Sequence, residues 1–358
     1  MAVKLFDLKR LLEPLKKELL DSAERSIDDA SFIMGREVLS FEESFSKRVG
    51  GAHTAGVSSG TDALLAIFMA LDIPPGSEIL VPSFTFVASA TSIMRAGYKP
   101  VFVDVKEDGF LVGIDDLKEK WTSKTKAVLF VHLFGEYTDL TEIKDLCDKR
   151  SAYLVEDCAQ SFGVKPGVQG VASAYSFFPA KNLGCLGDGG AVVTDDAELF
   201  SKIKMIRQHG SAIKYSYETV GGNFRLDTMQ AGFLNVLLNH VGGWLDSRAR
   251  NAEAYHSELL NVSDLKIPER TPFHSWNQYT LRTDRRDDLK LFLDKNNIGN
   301  AVYYPSPIHS SRIFEKSTSL PRTEELCKQV LSIPVYPGLT EDERSFVISK
   351  IKEFFNVT

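Results

Sequence analysis

One lysine stands apart from every other charge in its stretch of the chain. Lys181 is the only charged residue in the window 166–187, and it follows Ser-Phe-Phe-Pro-Ala among aromatic and small residues. An ammonium group in apolar surroundings loses solvation, so its pKa falls and the amine becomes a nucleophile toward a carbonyl carbon. The alternative is a solvated surface lysine, which describes most lysines in proteins.

A second isolated group of charges precedes this window. Glu156 and Asp157 are the only charges in residues 151–164, and they directly follow the apolar run 153–155. Carboxylates at the carboxyl end of a buried parallel strand lie where α/β sheets bind ligands. A helix cap or a satisfied ion pair is the alternative. Gln160, one turn later, adds a hydrogen-bond donor at the same edge.

Asp157 and Lys181 together suggest one cofactor. A carboxylate can hold the proton of a heterocyclic nitrogen and an amine can condense with an aldehyde, and pyridoxal phosphate (PLP) needs both. Its phosphate also needs a binding site. Residues 56–64, Gly-Val-Ser-Ser-Gly-Thr-Asp-Ala-Leu, predict a strand, a small-residue turn and a helix start, which would direct free N–H groups at an anion. Ser176 could add a hydroxyl.

The segment 82–87, Pro-Ser-Phe-Thr-Phe-Val, opens the next predicted helix with two aromatic residues. One of them could stack on a planar ring. Either could instead be a core residue, and for Phe84 a core position is the expectation.

Composition limits the alternatives. The chain has 358 residues, a hydrophobic fraction of 43% and a net charge of −6, so we expect a globular protein of about two domains with no basic surface for nucleic acid or a membrane. The four cysteines form no C-x-x-C pair and the histidines are dispersed, which argues against a protein-bound metal. The charged N-terminus has no signal-peptide core, so a cytoplasmic protein is expected.

The elements that would position these residues alternate in type, which predicts an α/β fold. Strands are predicted at 78–82, 100–105, 127–131, 153–155 and 190–194, and helices at 62–71, 83–96 and 140–149. From 226 to about 260 the pattern is helical, with a break expected at Gly242 and Gly243. We therefore predict a large domain, 1–245, with an N-terminal helical arm, and a smaller α+β domain, 246–358, which ends in a helix at 340–355.

Seven motifs occur in order along the chain: SSGTDAL (58–64), VPSFTFVA (81–88), EDCAQ (156–160), SFFPAKNLG (176–184), GDGGAVVT (187–194), GGNFRLDTMQA (221–231) and YYPSPIH (303–309). With these motifs the sequence resembles the DegT/DnrJ/EryC1/StrS family of PLP-dependent sugar aminotransferases, and the resemblance extends over essentially the whole chain. It implies fold type I, with a mostly parallel seven-stranded sheet.

The resemblance also implies roles for individual residues. Lys181 would be the Schiff-base lysine, Asp157 the partner of the pyridinium nitrogen and Gln160 a donor to the ring hydroxyl. Family members are homodimers with active sites at the subunit interface, so Asn223, Arg225 and His309 would serve the neighbouring chain. Gly60, Thr61 and Ser176 would hold the phosphate together with Asn223 from the second subunit. Phe86 would stack on the ring, and Asp62 would be a further cofactor residue. Arg225, Tyr304 and His309 would bind the acceptor sugar.

The reaction implied is transfer of an amino group from an amino acid, by family habit L-glutamate, to a ketone on a nucleotide-linked sugar. Similarity around 187–190 and 223–231 favours a UDP-linked 3-keto-N-acetylhexosamine, as in the synthesis of surface polysaccharide or lipid A sugars. Amination at C4 of a 4-keto-6-deoxy sugar and a catalytically silent PLP-binding regulator remain alternatives. Because Lys181 is retained, C3 deoxygenation by the family's dehydratase branch is disfavoured. A nicotinamide-dependent reductase would need a G-x-G-x-x-G motif after the first strand, which is absent.

Overall fold

A seven-stranded sheet is the centre of the computed structural model, which describes residues 1–164, 167–213, 215–314 and 319–357. Its strands are β1 (His53–Val57), β2 (Glu78–Pro82), β3 (Lys99–Val103), β4 (Thr125–Val131), β5 (Tyr153–Asp157), β6 (Ala172–Ser176) and β7 (Gly190–Thr194). They are ordered β1-β7-β6-β5-β4-β2-β3. The pairs from β6 to β3 are parallel, whereas β7 is antiparallel to both its neighbours. The predicted α/β fold with a mostly parallel seven-stranded sheet is confirmed.

The described residues also form two small sheets and a set of helices. The small sheets pair β8 (Ser211–Ile213) with β9 (Ser216–Tyr217) and β10 (Tyr279–Arg282) with β11 (Val330–Ile333). The helices are α1 (Leu8–Leu12), α2 (Lys16–Asp28), α3 (Arg36–Val49), α4 (Gly60–Ala70), α5 (Ala88–Arg95), α6 (Ile114–Lys120), α7 (Thr141–Lys149), α8 (Ala197–Ile206), α9 (Thr228–Leu259), α10 (Arg286–Lys295), α11 (Pro321–Gln329) and α12 (Glu341–Phe354).

The carboxyl ends of the parallel strands lie at one edge of the sheet. β4 and β5 are almost wholly buried, as expected for strands covered on both faces. The last two residues of β5 are Glu156 and Asp157, and successive residues of a strand point to opposite faces. The two carboxylates therefore leave the same strand end in different directions.

Helix α5 begins later than predicted. The expected start was residue 83, but the helix begins at Ala88. The chain beyond β2 first continues beside β3, since the N–H of Ser83 donates to the carbonyl of Val103 at 3.1 Å. Residues 83–87 are consequently a loop at the carboxyl edge of the sheet, in which Phe86 is exposed while Ser83, Phe84 and Thr85 are buried.

The break expected at Gly242 and Gly243 is wrong. Helix α9 runs through both glycines for 32 residues. Each glycine costs about 1 kcal/mol relative to alanine in a helix, but buried residues on both sides, such as Leu237, Val241 and Ala252, hold the helix in two apolar clusters. Neither α9 nor another helix of the described residues is long and apolar enough to cross a membrane.

Helix α9 connects two packing clusters. Its first half packs with α3 and with the region around Lys181, whereas its second half packs with β10, β11 and α12. Val3 belongs to the second cluster and donates its N–H to the carbonyl of Asn297 at 2.9 Å. The first residues of the chain thus pack against the C-terminal part, while the domain division at 245 stays a prediction.

Candidate active site

A cavity of about 570 Å³ opens at the carboxyl edge of the sheet. It is bounded by the N-terminus of α4, the loop after β2, the ends of β4 and β5, the segment after β6, and residues 303–304. The predicted site residues that line it are Gly60, Thr61, Phe86, Asp157, Gln160, Ser176, Lys181 and Tyr304. The sequence motifs that are far apart in the chain therefore meet at one cavity.

Lys181 lies in a tight turn that follows β6. Its N–H donates to the carbonyl of Phe178 at 2.8 Å, and a side chain at Gly184 would lie 2.6 Å from the carbonyl oxygen of Pro179. Only glycine fits there, because that oxygen belongs to the rigid backbone. Burial lowers the pKa of the Lys181 ammonium to about 8, although the charge of Asp157 opposes this shift. The amine is therefore nucleophilic near neutral pH.

Asp157 is buried at the end of β5 and held on both oxygens. Oδ2 accepts a hydrogen bond from Ser89 Oγ at 2.9 Å, and Oδ1 accepts one from the N–H of Ala159 at 3.1 Å. Burial raises the pKa of this carboxyl group, while the hydrogen bonds and the charge of Lys181 work in the opposite direction. A cationic ring nitrogen in the cavity would favour the ionised form further.

The N-terminus of α4 is suited to an anion. Ser59 caps the helix by accepting a hydrogen bond from the N–H of Asp62 at 3.1 Å, and no described residue accepts from the N–H groups of Gly60 and Thr61. A Cβ on Gly60 would lie 2.6 Å from Cβ of Ser176, so glycine lets the helix start approach β6. These features fit the phosphate of PLP, with the Ser176 hydroxyl alongside.

Asp62 does not line the cavity as predicted. Its carboxylate accepts hydrogen bonds from Ser58 Oγ at 2.7 Å and Ser59 Oγ at 3.2 Å, and it lies 3.5 Å from a guanidinium nitrogen of Arg95. A second anion beside a phosphate would also be repelled. Within the chain, Asp62 thus holds the turn around Ser59, and its role at the cofactor stays a prediction.

Gln160 and Phe86 complete the cofactor part of the cavity. The side-chain oxygen Oε1 of Gln160 accepts a hydrogen bond from the N–H of Phe134 at 2.5 Å, which leaves the side-chain NH2 without a partner among the described residues. Phe86 is 58% exposed at the cavity, whereas Phe84 is 1% exposed and belongs to the core, as expected. Tyr304 faces Phe86 with ring centroids 6.5 Å apart.

Three predicted residues lie outside the cavity of their own chain. Asn223 is exposed, and Arg225 is half-buried with its Nε unpaired among the described residues. His309 is nearly buried: Nδ1 lies 2.6 Å from Ser83 Oγ and Nε2 lies 3.5 Å from Glu324 Oε1. Within its own chain, His309 thus links the loop after β2 to α11, and its role toward the acceptor of a neighbouring chain stays a prediction.

The cavity is poor in positive charge. Of the described residues that line it, those with a formal charge are Lys181, Asp157 and Asp188. Anionic ligands would therefore need cations from outside this set.

Sequence reasoning missed two further residues around Asp157. Ser89 donates to the carboxylate and His132 lines the cavity wall. His132 directly follows a predicted strand, which is the same topological signal that singled out Asp157, whereas the serine gave no signal because its contact depends on how α5 packs.

His132, Glu156 and Cys158 place one ligand atom each within 4.8 Å of one another. Burial raises the pKa of the Cys158 thiol well above its ordinary value, so the sulfur stays protonated. Oε1 of Glu156 already accepts three hydrogen bonds, two from the N–H groups of residues 169 and 170 and one from Ser173 Oγ. The Glu156 carboxylate is thus occupied by hydrogen bonds and the Cys158 sulfur is a neutral thiol, so this cluster does not have the character of a metal site.

The fold and this donor set define a PLP-dependent enzyme of fold type I, with a lysine, a buried carboxylate and a helix N-terminus in one cavity. The chain belongs to the DegT/DnrJ/EryC1/StrS aminotransferase family, whose model matches residues 14–352. It is accordingly a PLP-dependent aminotransferase, as the motifs predicted, and the reductase alternative is wrong.

Relatives cover the full chain. The UDP-N-acetyl-3-dehydro-α-D-glucosamine 3-aminotransferase of Acidithiobacillus ferrooxidans is 39% identical over 98% of this chain and 97% of its own length. A pleiotropic regulatory protein of Geobacillus stearothermophilus is 37% identical over 99% of both chains. The crystal structure of Streptomyces venezuelae DesV in complex with a ketimine intermediate superposes with a TM-score of 0.96 at 37% identity, covering 100% of this chain and 99% of DesV.

Proposed function

We propose that this enzyme transfers an amino group from L-glutamate to the C3 ketone of a UDP-linked 3-keto-N-acetylhexosamine, in the synthesis of surface polysaccharide or lipid A sugars. The amino-transfer chemistry is supported by one observation: Lys181, Asp157 and the N-terminus of α4 line the same cavity. The sugar part is supported by the 39% identity to the enzyme of Acidithiobacillus ferrooxidans whose name states this kind of substrate.

Each residue has a separate task in this mechanism. PLP, when bound, withdraws electrons from the substrate carbon that carries the amine. Asp157 would hold the proton of the ring nitrogen, which would make that withdrawal effective. Lys181 would hold the aldehyde carbon of PLP, and its Nζ, when free, would take the proton from Cα of the donor. Gly60, Thr61 and Ser176 would hold the phosphate, and Phe86 would cover the ring.

In the second half-reaction the proton is transferred in the opposite direction, from Lys181 to carbon. Lys181 Nζ returns a proton to the carbon of the former ketone as the amine is transferred. Tyr304, which also lines the cavity, would offer a ring face and a hydroxyl to the sugar. Because burial raises the pKa of Tyr304, its hydroxyl stays a neutral donor through the working pH range.

We further propose that the enzyme is a homodimer whose partner completes each site. The cavity needs cations for a phosphate, a diphosphate and the carboxylates of the donor, and its own lining offers Lys181 alone among the described residues. Asn223 and Arg225 lie outside the cavity of their own chain, close in sequence to each other. Their exposed or half-buried side chains are available to a neighbouring site.

Two alternative functions are also supported by particular observations. Amination at C4 uses the same cofactor residues, so the cavity described above serves it equally. A silent PLP-binding regulator is supported by the 37% identity to the regulatory protein of Geobacillus stearothermophilus. The two alternatives differ in whether the bound cofactor reacts with an amino acid at all.

The test is a two-step absorbance experiment on the holoenzyme. Adding L-glutamate should bleach the visible cofactor band, and adding acceptor should restore it. UDP-3-keto-N-acetylglucosamine should restore the band faster than a 4-keto-6-deoxy sugar nucleotide or 2-oxoglutarate at equal concentration. Faster recovery with the 4-keto sugar would move the amination to C4. No bleaching by any amino acid would favour the regulator.

A further inference from the structure

Two buried hydroxyl groups connect Asp157 to the loop after β2, and the mechanism above uses neither of them. Oγ of Ser89, in the first turn of α5, lies 2.9 Å from Oδ2 of Asp157, and Oγ1 of Thr85 lies 3.1 Å from Oγ of Ser89. Thr85 and Ser89 are each 1% exposed. Asp157 is therefore the last member of a buried chain of hydrogen-bonded side chains that begins in the loop.

The carboxylate fixes the direction of the hydrogen bonds along this chain. An ionised carboxylate is only an acceptor, so the Ser89 hydroxyl donates its hydrogen to Asp157. A serine hydroxyl has one hydrogen, so in the contact between the two hydroxyl groups Thr85 is the donor and Ser89 the acceptor. Donation by Thr85 polarises the Ser89 hydroxyl and strengthens the bond that Ser89 gives to the carboxylate. Thr85 thus acts on Asp157 through Ser89.

The chain also fixes the orientation of the carboxylate. Oδ1 of Asp157 accepts from the N–H of Ala159 at 3.1 Å, and Oδ2 is held from a different element by Ser89. With both oxygens held, the carboxylate cannot rotate without breaking one of these two hydrogen bonds. The lone pairs that remain for a ligand therefore have fixed directions.

The same turn carries the residue proposed to cover the cofactor ring. Phe86 lies between Thr85 and Ser89 in sequence, and its carbonyl accepts from the N–H of Ser89 at 3.1 Å. This backbone bond and the side-chain contact between Thr85 and Ser89 hold the turn closed. The ring of Phe86 and the carboxylate of Asp157 are thus positioned by one small piece of structure.

We propose that Thr85 and Ser89 are positioning residues for Asp157, which fix its carboxylate for the ring nitrogen of PLP and keep the shared proton on that nitrogen. In a pair of a ring nitrogen and a carboxylate, the proton resides on the more basic partner. Burial raises the pKa of Asp157, and the hydrogen bond from Ser89 opposes that rise. Ser89 would therefore leave the proton on the nitrogen, where electron withdrawal needs it. This inference rests on the role proposed above for Asp157.

The test is ¹⁵N NMR of the holoenzyme loaded with PLP that carries ¹⁵N in its ring, because protonated and unprotonated ring nitrogens resonate at different positions. Ser89→Ala removes the hydrogen bond to Asp157, so the resonance should move toward the unprotonated position. The expected size is roughly one pKa unit, or a tenfold shift of the proton from nitrogen toward the carboxylate. Thr85→Val should move the resonance less in the same direction, and Thr85→Ser should keep it at the wild-type position.

A double variant tests whether Thr85 acts through Ser89. In Ser89→Ala protein, the addition of Thr85→Val should leave the resonance unchanged, because the hydroxyl that Thr85 polarises is already absent. Additive shifts would overturn the role of Thr85. Thr91→Val is the matched control, since it removes a hydroxyl of the same helix that donates to the carbonyl of Val87 at 3.1 Å. Its resonance should stay at the wild-type position.

Thr85→Val is nearly isosteric, so it keeps the test decisive if the small cavity left by Ser89→Ala weakens the fold. A wild-type resonance in both variants, each with PLP bound through Lys181, would overturn the inference and leave the proposed function intact. If Asp157→Asn also kept the wild-type resonance, the proposed role of Asp157 would fail together with the inference.

Discussion

The cofactor half and the acceptor half of the cavity are built differently. Asp157 and Ser176 end β5 and β6, and Lys181 lies in the turn after β6. Hydrogen bonds with backbone groups hold Asp157 and Lys181 in place. The acceptor half is bounded by Tyr303 and Tyr304, which carry no formal charge. The first half has its lysine and its carboxylate within one chain, whereas we propose that the second needs cations from the partner subunit.

This difference follows from what each half must do. Proton transfer needs groups held within a fraction of an ångström, and a sheet edge provides that rigidity. Recognition of a sugar nucleotide needs a surface whose residues can differ between related enzymes. Loops and subunit contacts tolerate such differences. We therefore expect substitutions in the cofactor half to abolish chemistry and those in the acceptor half to change binding.

The largest effect is expected at Lys181. Lys181→Ala should keep the fold and bind PLP without a covalent link, because only a primary amine there can condense with the aldehyde. Turnover should fall by about 10⁴-fold, the upper range for a lost acid–base group. Borohydride reduction followed by peptide mapping measures the link directly. If reduction modified a different lysine of the wild type, the assignment of Lys181 to the cofactor would be wrong.

The next effect is expected at Asp157. Asp157→Asn should still bind PLP, but a neutral amide cannot hold the proton of the ring nitrogen as a carboxylate does. Turnover should fall by roughly 100-fold, equivalent to about two pKa units of lost stabilisation. Stopped-flow measurement of the glutamate half-reaction checks this, with Ser89→Ala as a milder comparison. Near-normal turnover in the Asn variant would mean that Asp157 only supports the fold.

The two halves also differ in how far the sequence could predict them. The motifs around 56–64, 156–160 and 176–184 carry their own local structure, because a strand followed by a glycine turn fixes where the next side chain lies. His309 was predicted to bind the acceptor of a neighbouring chain, and within its own chain it lies outside the cavity, in contact with Ser83 and Glu324. The contact with Ser83 is the one that the sequence could not show. That contact joins residues more than 200 positions apart in sequence, so no local pattern could reveal it.

A third prediction concerns the subunit interface. If Asn223 reaches the neighbouring site, then Lys181→Ala and Asn223→Ala chains exchanged into mixed dimers should form one intact site per heterodimer. A one-to-one mixture should regain up to about one quarter of wild-type activity, since half of random dimers are mixed and each has one good site. Exchange is verified with tagged chains. A mixture no more active than its parents would place each site within one chain.

The smallest effects separate the two residues assigned to the acceptor. Tyr304 lines the cavity, whereas His309 links the loop after β2 to α11. Tyr304→Phe should therefore raise KM for the sugar nucleotide a few-fold at unchanged stability, since the ring remains and one hydrogen bond is lost. His309→Ala should leave KM nearly unchanged but reduce the free energy of unfolding by about 1–3 kcal/mol, because the buried hydroxyl of Ser83 loses its partner.

Steady-state kinetics and urea unfolding of the same two proteins decide between these roles. The decisive quantity is the ratio of the KM change to the stability change, which should be high for Tyr304→Phe and low for His309→Ala. A Ser83→Ala variant should resemble His309→Ala, because it removes the other member of the same hydrogen bond. If His309→Ala instead raises KM without loss of stability, His309 contacts the acceptor in the assembled enzyme. The acceptor half would then extend beyond the cavity of a single chain.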